Sequence, residues 1–128
     1  VPDEYKESNR QARVSFTYTP VHGVGFKFVK RCFLDANLTE LTVVEEQEKI
    51  DPNFSTVKYP NPEEGKNCLD LAIRTADRIG SRVILANDPD ADRLATAEKN
   101  LKTNDWKIFN GNEIGALLGF WLLKLYQE

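Results

Sequence analysis

Three short runs rich in β-branched, aromatic or aliphatic residues, at 14–18, 41–45 and 82–86, alternate with two stretches of helical spacing, at 26–36 and from Glu63 to Gly80. This alternation restricts the possible folds more than any other feature. Strand, helix, strand, helix, strand predicts parallel strands joined by right-handed crossovers, here in the order 2-1-3. Residues 94–97 and 106–109 flank the polar turn KNLKTND and read as an antiparallel hairpin that extends the sheet at its edge. The expected fold class is therefore α/β: a mainly parallel sheet with an antiparallel edge hairpin and helices on both faces. In such sheets ligands gather outside the carboxyl ends of the strands, where the strand order reverses. That rule puts the loop PVHGVG (20–25) beside the loop that follows the third strand, although more than 60 residues separate them.

The loop after the third strand carries the chemistry. The run RVILANDPDADR ends in Asp88, Asp90 and Asp92, spaced two apart. Carboxylates this close repel one another unless a cation or hydrogen bonds compensate, and an all-carboxylate donor set selects a hard divalent ion such as Mg²⁺. A solvated turn, in which Asp bonds its own backbone, is the alternative. An EF-hand starting at Asp88 would need Gly at its sixth position and Glu at its twelfth, where Arg93 and Lys99 stand. A dehalogenase-type DxD loop fits less well, because Asp92 occupies a position usually held by Thr or Val. Arg93, next in the chain, reads as a salt-bridge partner for the aspartates. His22, in its Gly-rich loop, is a candidate catalytic base or a hydrogen-bonding loop residue.

Several functions are disfavoured. Net charge is −3 and no basic cluster exists, so nothing marks a nucleic-acid footprint. No apolar run approaches the ~20 residues of a membrane span, and VPDEYKESNR lacks a signal-peptide core, which points to a cytoplasmic protein without membrane contact. Cys32 and Cys68 fall in expected helices among apolar neighbours and read as two buried free thiols. One His and two distant Cys give no zinc spacing.

At its ends the chain looks cut from a longer protein. Residues 1–12 are polar and read as a linker or a frayed helix, and residues 51–62, with three of the six prolines, form a long irregular connection. Glu63 and Glu64 then open a helix whose inner stripe is Leu69, Ala72, Ile73 and Ala76, closed by Gly80. The last helix, 112–126, is apolar around much of its circumference. Such a helix expects cover from more than one side, so residues 114–126 are expected to self-associate, fold back or meet a neighbour.

NDPDADR, with TPVHGVG before it and GNEIGALLG after it, resembles the α-D-phosphohexomutase superfamily of phosphoglucomutases and phosphomannomutases, and within it the phosphoglucomutase-2 branch of phosphopentomutases and glucose-1,6-bisphosphate synthases. The resemblance implies four domains in the whole enzyme. Residues 1–12 would be the linker from the first, 13–109 the Mg²⁺-binding second and 110–128 the start of the third. It further implies a mutase that moves a phosphoryl group within a sugar phosphate through a phosphoserine, with Asp88, Asp90 and Asp92 on Mg²⁺ and Arg93 beside the reacting group. Its partners would be the other domains and the sugar phosphate, and this chain alone should be inactive. Pro89 departs from the common family loop, which has Gly there, and stiffens it. The competing reading is a free-standing α/β interaction module that docks through its C-terminal helix.

Overall fold

The computed structural model describes residues 1–38, 40–62 and 66–127, leaving aside the side chains of Glu40 and Lys66. Its five strands are β1 (Ser15–Thr19), β2 (Glu40–Val43), β3 (Val83–Asn87), β4 (Leu94–Lys99) and β5 (Trp106–Phe109), in one sheet of order β2-β1-β3-β4-β5. β1 runs parallel to both β2 and β3, whereas β3–β4 and β4–β5 are antiparallel. The expected 2-1-3 order and edge hairpin are both present.

Register sets the two faces. Thr17 pairs with Ile84, and Ile84 with Ala97, which in turn pairs with Ile108, so these side chains share one face. Helix α4 (Lys66–Ile79) covers it. Ala72 and Ala76 pack with Val44, Ile84 and Ala97, and Leu69 packs with Ala86 and Ala95, all of them buried. Alanines on both sides let the helix axis approach the strands closely, while Leu69 and Ile84 each contribute ~2 kcal/mol of apolar burial. Gly80, at φ 76°, ends α4, and the Ser81 N–H returns to the Ala76 carbonyl at 3.0 Å. That six-to-one bond is the usual closure on a left-handed glycine. The expected helix opening at Glu63 and Glu64 lies outside the described residues.

Phe16 and Tyr18 point to the opposite face, where α2 (Phe26–Asp35) lies. Phe16 meets Phe33 edge to face at 5.2 Å, and Tyr18 stacks on Phe26 at 6.1 Å. Helices thus cover both faces.

Two expectations change, at the end of the second strand and at Cys32, and the two terminal segments gain detail. Residues 3–11 form a regular helix, α1 (Asp3–Gln11), with acids in the first turn, Arg10 in the last and no buried residue. Its Asn9 amide donates to the Ala36 carbonyl at 2.8 Å, tying it to the end of α2. The second strand stops at Val43, and Glu45 opens a one-turn helix, α3 (Glu45–Glu48), over the buried Val44 and Gln47. Cys68 is buried as expected, but Cys32 is exposed, because α2 turns only Phe33 fully inward. Finally, α5 (Gly111–Gln127) has no buried residue; Leu118, Trp121 and Leu122 are about half or more exposed.

Candidate metal centre

β3 ends at Asn87 and β4 begins at Leu94, and these two residues form the last pair of their ladder. The aspartates therefore sit on the six-residue loop of a β-hairpin. Pro89 and the Ala91 N–H, which donates to the Asp88 carbonyl at 3.0 Å, fold that loop into a turn, with Ala91 at φ 65°. As a result one oxygen each from Asp88, Asp90 and Asp92 lies within 4.8 Å of the others. The sequence-predicted triad is assembled.

The three carboxylates differ in environment. Asp88 is 1% exposed. Its Oδ1 accepts the Arg93 backbone N–H at 3.0 Å, and its Oδ2 accepts Arg93 Nε at 2.8 Å and lies 2.8 Å from Nη2. Burial pushes the Asp88 carboxyl up, but the Arg93 backbone and guanidinium bonds outweigh it and the net direction is down. Asp90 is exposed and shifts the other way, raised by its hydrogen bond with Asp88 and by the nearby charge of Asp92. A raised carboxylate beside two others is a site that gains from a cation. All donors are hard oxygens, as Mg²⁺ or Ca²⁺ requires, and ligands at about 2.0–2.1 Å from Mg²⁺ need only a small closure of this span. The residues fit a divalent metal.

The glycine loop lies against the acidic one. Val24 N–H donates to the Pro89 carbonyl at 2.9 Å. A β-carbon at Gly23 would overlap the Pro89 backbone, and one at Gly25 would stand 2.5 Å from the Tyr18 hydroxyl and 3.3 Å from Ala91 Cβ. Neither glycine has positive φ; the left-handed residues of this turn are Val21 (46°) and His22 (61°). The glycines serve close approach, and the strain falls on their neighbours.

A buried network holds that strained turn. Thr19 Oγ1 accepts from the Val21 N–H at 3.0 Å and donates to Gln47 Oε1 at 2.6 Å, while Gln47 Nε2 donates to Thr56 Oγ1 at 3.0 Å. His22 is buried, with Nδ1 3.2 Å from the Lys49 carbonyl and Nε2 2.8 Å from Thr56 Oγ1. A carbonyl can only accept, so Nδ1 carries the proton and Nε2 takes that of the Thr56 hydroxyl. Both ring nitrogens are thereby engaged in the loop. Asp51 anchors the far side: it accepts from the Asn53 and Ser55 backbone N–H groups at 2.9 and 3.0 Å, and Ser55 chiefly holds its carboxyl down at about 2.

Two residues that sequence reasoning passed over stand under the acidic loop. Asn87 Nδ2 donates to the Arg93 carbonyl at 2.7 Å, and Asn87 Oδ1 accepts from the Tyr18 hydroxyl at 3.0 Å. The available signal was a polar residue closing an otherwise apolar strand.

The profile described as "Phosphoglucomutase/phosphomannomutase, alpha/beta/alpha domain II" matches residues 3–102. The chain is 51% identical over 124 residues to the "Phosphopentomutase" of Homo sapiens, covering 97% of this chain and 20% of that protein. It is 46% identical over 125 residues to the "Glucose 1,6-bisphosphate synthase" of Homo sapiens, with the same coverage. The "Phosphoribomutase" of Saccharomyces cerevisiae is 40% identical over 122 residues, 92% of this chain and 20% of that protein. The chain spans about one fifth of the length of these relatives. No solved structure matches it.

Proposed function

Because the chain belongs to the phosphoglucomutase/phosphomannomutase family, whose domain II profile covers residues 3–102, we propose that it is the Mg²⁺-holding domain of a cytoplasmic phosphosugar mutase acting through a phosphoserine supplied by another domain. The observation that carries this reading is the convergence of Asp88, Asp90 and Asp92 on one point at the carboxyl end of the sheet. Mg²⁺ bound there would offset the charge of a phosphoryl group in transfer, as a Lewis acid that needs no proton.

The chain's own residues have separate tasks. Asp88, buried and bonded to Arg93, fixes the loop and presents the guanidinium, 43% exposed, at its mouth. A planar fork in that place suits phosphate oxygens. His22, with both nitrogens bonded to the 49–56 loop, holds the turn that backs onto Pro89, and general-base chemistry would require it to leave those partners. In this reading residues 1–12 serve as linker, 13–109 as the metal domain and 110–128 as the start of a third domain; the family match over 3–102 supports the last division by stopping before α5, while it counts most of 1–12 with the metal domain. Among the described residues no helix is long and apolar enough to cross a membrane, and no disulfide joins the two cysteines.

One feature favours the second reading, a free-standing module: the exposed apolar surface of α5 suits docking equally well. The two readings separate in the native reading frame. Further domains coded on both sides support the mutase, and a frame ending at these residues overturns it. In the enzyme so encoded, assayed with glucose 1-phosphate and ribose 1-phosphate, Asp90→Asn should lower kcat by about 100-fold or more, and full activity in that variant would reject the metal role.

A further inference from the structure

The acidic loop is tied down from below by a relay that does not itself face the metal position. Tyr18 is buried on β1, an interior strand, with its ring stacked on Phe26, so its hydroxyl is fixed in direction. It donates to Asn87 Oδ1, which turns the Asn87 amide so that Nδ2 donates to the Arg93 carbonyl across the mouth of the hairpin loop. Asn87 and Arg93 thereby clamp the two ends of the segment that bears all three aspartates. One oxygen from each of Asp88, Asp90 and Asp92 lies within 4.8 Å of the others, so this loop gathers like charge and would open if released.

We infer that Tyr18 and Asn87 are positioning residues that preorganise the acidic loop for a divalent ion, acting through the Arg93 carbonyl. The inference rests on the metal reading above. Holding mutually repelling ligands together before the ion arrives removes that cost from binding, which is how residues behind a metal's ligands tune its affinity. The hydroxyl of Tyr18 has no role in the apolar contact with Phe26, so Tyr18→Phe removes the relay and leaves the packing.

The test is Mn²⁺ affinity of the 128-residue chain, read from water-proton relaxation, alongside the urea midpoint of each variant. Asn87→Ala should weaken Mn²⁺ binding about tenfold and Tyr18→Phe about threefold, with the Tyr18→Phe urea midpoint close to wild type. The double variant should bind no more weakly than Asn87→Ala alone, because both act through one amide. Additive losses, or unchanged affinity in either single variant while wild type binds, would overturn the relay. If Mn²⁺ binding by wild type does not depend on Asp90, tested with Asp90→Asn, the metal reading falls and the relay with it. A loss of affinity that tracks the urea midpoint across variants would reduce both residues to general stability.

Discussion

Ala91 adopts φ 65° in the middle of the acidic loop, a conformation that costs an L-residue about 1–2 kcal/mol and glycine little. Ala91→Gly should therefore keep or raise stability, by up to ~1 kcal/mol after the larger unfolded-state entropy of glycine is counted. An unfolding free energy from urea denaturation measurably below that of wild type would show that the Ala91 methyl matters more than its backbone. The opposite holds across the interface. Gly23→Ala drives a methyl into the Pro89 backbone, which has no rotamer to yield, whereas Gly25→Ala meets mainly the Tyr18 hydroxyl. We expect Gly23→Ala to cost about 2–3 kcal/mol and Gly25→Ala less, measured in the same denaturation series. Glycine at 23 and 25 was legible as a tight feature of the sequence, but its cause was not: the partner backbone is supplied by a loop distant in the chain.

Among the elements, those whose signal is carried by long apolar periodicity were readable. α4 announced itself through Leu69, Ala72, Ile73 and Ala76, and β3 through its apolar run, each matching the observed buried side. α3 was hidden because four polar letters, EEQE, follow a β-branched run that favours continuing the strand. Cys32 shows the limit of composition: apolar neighbours on α2 leave it outward when only Phe33 is fully buried. For α5 the letters gave the helix and its apolar surface, and the structure leaves that surface bare. Large bare apolar patches promote association, so the chain in solution should self-associate. Replacing Leu118 and Trp121 together with Lys should shift light scattering toward monomer and change unfolding by no more than ~0.5 kcal/mol. A wild-type chain that is monomeric at all concentrations would contradict this.

For the whole molecule the carboxyl ends of β1 and β3 bring the two site loops together, and the buried Tyr18 is shared between them. Burial pushes its phenol from 10.0 up to about 12. A folded pKa above the unfolded one means that the unfolded chain loses this proton first. Its contribution is complete below pH 10 and is lost progressively as pH rises to about 12. Urea midpoints of the wild-type chain should fall through that window, and Tyr18→Phe should flatten the fall; parallel slopes would place the alkaline sensitivity elsewhere. The topology that makes this site was readable from strand and helix order, while the polar relay beneath it was not, since Tyr18 and Asn87 look like ordinary strand residues until the register sets them side by side. The Val24–Pro89 hydrogen bond has a consequence for biosynthesis. Its two ends are 65 positions apart, so at about 5–20 residues per second the glycine turn leaves the ribosome roughly 3–13 s before the segment that braces it. During that interval Gly23 and Val24 lack the Pro89 backbone they pack against, and the acidic loop, made after the glycine turn, completes the site.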